Sequence, residues 1–415
     1  MAVRHWWSGS LLAVALGVAG QGDARQDVGL PSLPVAAGPM MVDTAEQRGV
    51  RVDVIARGLD HGYRLAFLPN GDALVVERGK RIRVLRAAAG ERPMLVVAPI
   101  GGVPAYGEPA NVHPDDVLGI QDVIVGPDFA ATGRIYYSYN RPGRFDRAAK
   151  RLLVETIIAT GRLRDGQLVE RRDLVSGEPV VGAGGSRLAF GRDGMLYASI
   201  GGLSIGDIQA SQRTDNLYGK VLRIAPDGSI PHDNPLVGRK GARAEIYSFG
   251  HRDPLGLAVE PRTGAVIASE HGPQGGDELN RILSGRNYGW PTWTYGTDYG
   301  DSPLPTQPVG PGIEPPLTIW TPAIAPTGIL FYTGTRFPAW KNNLFIASAR
   351  RGEINGTGGI VRVVLNDRLQ EVRQETLLGE LRQRFKDLAQ GPDGRIYALT
   401  DEADSVVLRL SPGVR

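Results

Sequence analysis

One feature limits this chain more than any other: a loose internal repeat. An apolar strand, a turn built from Pro, Gly or Asp, and a second β-rich strand recur six times. The units begin at Leu65, Val123, Leu188, Leu257, Ile329 and Leu388, so they return every 58 to 72 residues. In the third unit, Leu188-Ala189-Phe190-Gly191-Arg192-Asp193-Gly194 leads into Leu196-Tyr197-Ala198. Gly supplies the positive φ such a turn needs, and Asp caps its own turn backbone. A period of this order with several strands per unit predicts an all-β fold, a six-bladed β-propeller of four-stranded antiparallel blades. Two stacked β-sandwiches are the other arrangement open to many short strands, and the even recurrence favours the ring. A ring also accommodates the length. The 415 residues exceed the ~250–300 at which a single core stops growing, but each blade packs only on its neighbours. The alternating segment Arg51 to Ala56 precedes the first unit. It is predicted to supply an outer strand to the last blade, beside Ser405 to Leu410.

Composition supports this and removes alternatives. The 56 Gly and 30 Pro are high and not periodic, which suits a chain punctuated by turns. Cys is absent, so disulfides, thiolate metal sites and Cys nucleophiles are excluded. Net charge is +3 with no basic run interleaved with aromatics, so no nucleic-acid partner is expected. The N-terminus reads as a signal peptide over residues 1–24: Arg4, an apolar stretch from Trp6 to Ala19, then small residues with Ala24 as a cleavage position. The stretch is short for a membrane span. The protein is therefore expected in the periplasm or secreted, and not integral to a membrane. Residues 25–48, with Pro31, Pro34 and Pro39, read as a linker, and 49–415 as the propeller.

A series of motifs runs from the third unit into the fourth. It comprises Gly219-Lys220-Val221-Leu222-Arg223-Ile224, Asp233-Asn234-Pro235 and Ser248-Phe249-Gly250-His251-Arg252-Asp253-Pro254. It continues with Glu270-His271-Gly272-Pro273, Gly276-Asp277-Glu278-Leu279-Asn280 and Asn287-Tyr288-Gly289-Trp290-Pro291. In this order they resemble the soluble pyrroloquinoline quinone (PQQ)-dependent aldose and glucose/sorbosone dehydrogenases, over about residues 50 to 412. The resemblance implies a propeller with PQQ over the channel mouth, held by Ca²⁺ and basic side chains. It also implies a sugar or alcohol substrate, a His that takes the hydroxyl proton, and a periplasmic electron acceptor. The chemistry is consistent: three carboxylates want Arg and Lys, Ca²⁺ wants hard oxygen ligands, and alcohol oxidation wants a base of near-neutral pKa. By this resemblance Arg252, Asp253, Arg350, Arg384 and Lys386 would bind the cofactor. Gly272 and Pro273 would offer backbone oxygens to the Ca²⁺ that touches PQQ. Glu278 and Tyr288 resemble a second, structural Ca²⁺ site, and their ten-residue separation requires them to meet through a loop.

The catalytic end departs from the pattern. The family base stands four residues before the Arg of an element that here is Ser186-Arg187-Leu188, and that position is Ala183. Val117 stands where a quinone-holding Gln is expected. Gly202 and Leu203 replace a polar pair, Ala323 replaces a Ser, and Asp253 replaces an Asn. Loss of a general base costs ~10²–10⁴ in rate. Candidates for a substitute are His113, His251, His271 and Asp253, with His113 nearest the lost Gln position. Three readings stay open: a PQQ- and Ca²⁺-linked sugar dehydrogenase with an altered site, a non-catalytic ligand- or partner-binding descendant, and a Ca²⁺-dependent propeller enzyme without quinone.

Overall fold

The computed structural model describes residues 29–107, 109, 111–112, 117–202, 207–297 and 307–413. The signal peptide expected over residues 1–24 lies outside them. The described chain forms six antiparallel sheets in a ring, a six-bladed β-propeller. The innermost strands are Gly62–Phe67, Gly119–Val125, Ser186–Phe190, Asp253–Val259, Pro326–Phe331 and Phe385–Gln390, which define blades 1 to 6. Each packs on the next, and blade 6 returns to blade 1. Every repeat unit falls on the first two strands of a blade.

The recurring turn has a shared physical cause. In blade 3, Asp193 Oδ1 accepts from the Met195 amide (3.1 Å) and Oδ2 from the Tyr197 hydroxyl (3.0 Å). In blade 6, Asp393 does the same for Arg395 (3.1 Å) and Tyr397 (2.9 Å). Gly194 and Gly394 then turn the chain at φ of 76° and 75°, a conformation that costs other residues a Cβ clash.

Closure joins the two ends of the sequence. Strand Val50–Leu59 pairs with Ser405–Pro412, with Val52 opposite Leu410 and Val54 opposite Leu408, as the alternation from Arg51 to Ala56 predicts. This blade differs from the four-stranded expectation. Met40–Val42, in the stretch read as a linker, adds a fifth strand with Met40 opposite Val52. An outer strand leaves unpaired amides and carbonyls on its edge, and the added strand covers them. Further along the same stretch, Gln383 Nε2 donates to Leu33 O (2.7 Å) and Arg57 Nη2 to Val35 O (2.6 Å).

A ring of hydrogen bonds from buried and half-buried side chains stitches the blades around the channel. Arg64 Nε donates to Val123 O (3.3 Å), and Asp122 Oδ2 accepts from the Leu188 amide (2.7 Å). Ser199 Oγ donates to Pro254 O (2.8 Å), and Ser269 Oγ to Thr327 O (3.0 Å). Thr327 Oγ1 donates to Phe385 O (3.2 Å), and Asp387 Oδ2 accepts from the Leu65 amide (2.8 Å). All six junctions are bridged. At the centre lies Arg187, only 1 % exposed. Its guanidinium donates to Leu255 O (2.8 Å), Tyr63 O (3.1 Å), Lys386 O (3.4 Å) and Asp122 Oδ1 (3.4 Å). Arg64 pairs with both Asp122 (3.1 Å) and Asp387 (3.4 Å), so two guanidinium groups balance two carboxylates.

Breaking such a buried network by removing one partner leaves uncompensated charge. Arg187→Leu is therefore expected to cost about 3–5 kcal/mol, read from urea denaturation midpoints. A loss below about 1 kcal/mol would mean that the channel network does not hold the ring.

Candidate functional site

In an antiparallel blade, the start of the first strand and the end of the second lie on the same rim. That rule gathers the predicted residues. Arg252 immediately precedes Asp253–Val259, while Arg384 and Lys386 flank the start of Phe385–Gln390. Arg350 follows the second strand of blade 5, Leu344–Ser348, and His271 ends the second strand of blade 4, Val266–His271. Ala183 stands just before Ser186–Phe190.

The four basic residues converge on His271. Burial, then the charges of Lys386, Arg252, Arg384 and Arg350, hold its imidazole well below the usual histidine range, hence neutral. Its Nε2 is buried and has no hydrogen-bond partner among the described residues. Arg252 is placed by Nη1 donating to His271 O (3.1 Å) and by the Trp290 ring 5.2 Å from its Cζ. Lys386 is 6 % exposed, with Nζ 4.5 Å from the centre of the Tyr63 ring. Burial lowers its ammonium to about 7; Asp401 opposes this, and Arg78, Arg187 and Arg384 add to it. Arg350 is partly neutralised by Glu353 (2.7 Å).

Two cavities open on this rim. One, of about 170 Å³, is lined by His271, Gly272, Pro273, Ala323, Arg350 and Arg384. The other, of about 110 Å³, is lined by Tyr63, Arg78, Gln121, Ala183, Asp253 and Lys386 among others. Val117 also lines the second cavity. Gln121 stands beside it, fixed by Ser186 Oγ donating to its Oε1 (3.0 Å). Gln121, Tyr63 and Arg78 were not found from sequence. Gln121 is hidden within an apolar strand, and the other two follow no motif that repeats between blades. His113 and Leu203 lie outside the described residues.

His251 is committed elsewhere. Nε2 meets Ser248 Oγ at 2.8 Å and Nδ1 meets Glu270 Oε1 at 3.0 Å, and the ring stacks on Tyr288 at 4.4 Å. The Ser, His and Glu order suggests a nucleophilic triad, but Ser248 and His251 are both 0 % exposed. No substrate reaches them, so this is scaffold behind Arg252, whose amide donates to Glu270 Oε2 (2.8 Å).

Glu278 and Tyr288 come to the same small cavity. Both line this cavity of about 10 Å³ with Glu270, Gly272 and Pro273, room for about one water-sized occupant. Burial, and then the Glu270 charge, push the Glu278 carboxyl well above its usual range. The Tyr288 hydroxyl is already used: it donates to Arg281 O and accepts from the Leu283 amide (2.9 Å). Among the described residues no three His, Asp or Glu side chains cluster as metal ligands, so any cation here would rely on backbone oxygens as well.

Comparison with known proteins bears on this arrangement. The family model described as Glucose / Sorbosone dehydrogenase matches residues 59–409. Aldose sugar dehydrogenase YliI of Escherichia coli is 36 % identical over 371 residues, covering 88 % of this chain and 93 % of that one. A solved glucose dehydrogenase superposes with a TM-score of 0.76 at 38 % identity, covering 86 % of this chain and 98 % of its own. The PQQ-bound aldose sugar dehydrogenase of Streptomyces coelicolor superposes with a TM-score of 0.64 at 26 % identity, covering 88 % and 100 %. With a match that spans nearly the whole ring, the chain belongs to the glucose/sorbosone dehydrogenase family.

Proposed function

We propose that this protein is an exported PQQ-dependent oxidoreductase that acts on the CH–OH group of an aldose or related sugar, with an altered active site. The observation that carries this reading is the convergence of Arg252, Arg350, Arg384 and Lys386 on a neutral, half-buried His271. Four cations converging on one neutral side chain are costly to assemble unless an anion joins them. A tricarboxylate fits that need, and the His271 Nε2 is left over for a polar group of a ligand. When bound, PQQ supplies a two-electron quinone acceptor.

The chain's own residues then have distinct tasks. The guanidinium groups offer planar donors to carboxylates. Lys386 contributes charge from a buried position, where a carboxylate partner restores its proton. Gly272 and Pro273 would offer backbone oxygens to one Ca²⁺, and Glu278 would supply a carboxylate to a second. No described helix is long and apolar enough to cross a membrane. The signal-like pattern of the N-terminal sequence supports export to the periplasm or medium, where a periplasmic acceptor would reoxidise the cofactor.

Ala183 favours a second reading, a non-catalytic ligand-binding descendant, because a methyl group accepts no proton. Titration of the apoprotein with PQQ and Ca²⁺, followed by dye-linked oxidation of a sugar panel, separates the two. Bound quinone absorbance with turnover supports the oxidoreductase, and binding without turnover supports the descendant. Turnover with Ca²⁺ alone would select the calcium enzyme. Arg384→Ala is expected to weaken quinone binding about 10- to 100-fold, the range for one charge-assisted hydrogen bond.

Binding should also depend on pH. Free Lys386 loses its proton as pH rises through about 7, and Asp253 becomes charged above about 6. Both changes disfavour an anion, so quinone affinity is expected to fall between pH 6 and 8.5 in absorbance titrations. Lys386→Met should flatten the part of that slope above pH 7.

A further inference from the structure

Asp253 has a setting unlike that of the other ionisable groups on the rim. It is 4 % exposed, yet it accepts a single hydrogen bond among the described residues, from the Gly185 amide to Oδ1 at 3.1 Å. Its carboxyl lines the 110 Å³ cavity together with Ala183. The space it occupies depends on two missing side chains. A Cβ at Gly201 would lie 2.0 Å from Asp253 Oδ1, and one at Gly184 2.9 Å. A buried carboxyl with one partner and a free oxygen facing a cavity costs stability. Such a group is expected where a ligand completes its hydrogen bonding.

We propose that Asp253 is the catalytic base of this chain, taking the hydroxyl proton of the sugar in place of the imidazole absent at position 183. The inference rests on the oxidoreductase reading above. The balance is simple. The hydroxyl proton goes to Asp253 Oδ2, and the carbon–oxygen bond becomes a carbonyl. The C–H hydrogen leaves with its electron pair to the ortho-quinone oxidant. The competing histidines are poorly suited. His251 is sealed behind Ser248 and Glu270, and a proton on His271 would face four cations. Asp253 has the opposite surroundings. Burial raises its carboxyl to about 6; Arg252, the Gly185 amide and Lys386 hold it from rising further, and Glu270 pushes it up. Its across-strand partner, His271, is neutral. A carboxylate of that basicity is still ionised at neutral pH and accepts a proton more readily than an ordinary Asp.

The test uses the full protein loaded with PQQ and Ca²⁺, with three readouts: kcat and KM for an aldose, quinone affinity by absorbance, and the thermal midpoint. Asp253→Asn nearly preserves shape. It is expected to lower kcat by ~10²–10⁴ with KM little changed, and to leave quinone affinity equal or several-fold tighter, since a negative charge is removed beside an anion. Adding Ala183→His to that variant should recover at least tenfold in kcat. Where Asp253→Asn folds poorly, Gly201→Ala displaces the carboxyl from its pocket and should lower kcat in the same way. If wild-type protein turns over and Asp253→Asn retains kcat within about threefold, Asp253 is not the base, while the oxidoreductase reading stands. If quinone affinity falls in step with kcat, Asp253 holds the cofactor instead. If wild-type protein binds quinone and never turns over, both the function and the base assignment fail.

Discussion

The closed ring depends on charge held inside its channel. Six blades must meet with their inner strands almost in contact, which buries backbone amides and carbonyls at every junction. Side chains satisfy those groups: Asp122, Ser199, Ser269, Thr327, Asp387 and Arg64 each reach from one blade to the next. Arg187 spans the middle and binds four other blades through Leu255 O, Tyr63 O, Lys386 O and Asp122. Two guanidinium groups and two carboxylates leave the channel near neutral, so the ion cluster resists the desolvation penalty that would otherwise oppose burial.

That same cluster supports the rim. Arg187 Nη2 fixes the backbone of Lys386, and Lys386 lies over Tyr63, whose own carbonyl Arg187 also binds. Behind Arg252, the buried Glu270 holds both the Arg252 amide and His251. The basic residues of the rim therefore rest on buried polar supports. Pre-organisation of this kind lets several like charges sit close together before any anion arrives, with the cost met by the folded scaffold.

Much of this was legible in the chain. The turns of Pro, Gly or Asp after an apolar strand announced six units, because a tight turn draws on a small set of residue types. The outer strand from Val50 was visible as alternation. The basic residues at 252, 350, 384 and 386 followed from motifs. Other parts were hidden. Gln121 and Arg187 look like polar interruptions in apolar strands, and nothing local says they point into a channel. Met40–Val42 is too short, in too Pro-rich a stretch, to read as a strand.

The sequence by itself determined the repeat, the strand periodicity and the departures at Ala183 and Asp253, because these are properties of residue type and spacing. Only the tertiary structure decided that Asp253 and Ala183 face one cavity, that four cations surround His271, and that His251 is sealed away. Those facts depend on which blade ends share a rim. Ring closure sets that by bringing together residues as far apart as Tyr63 and Lys386, a distance over which no local pattern carries information.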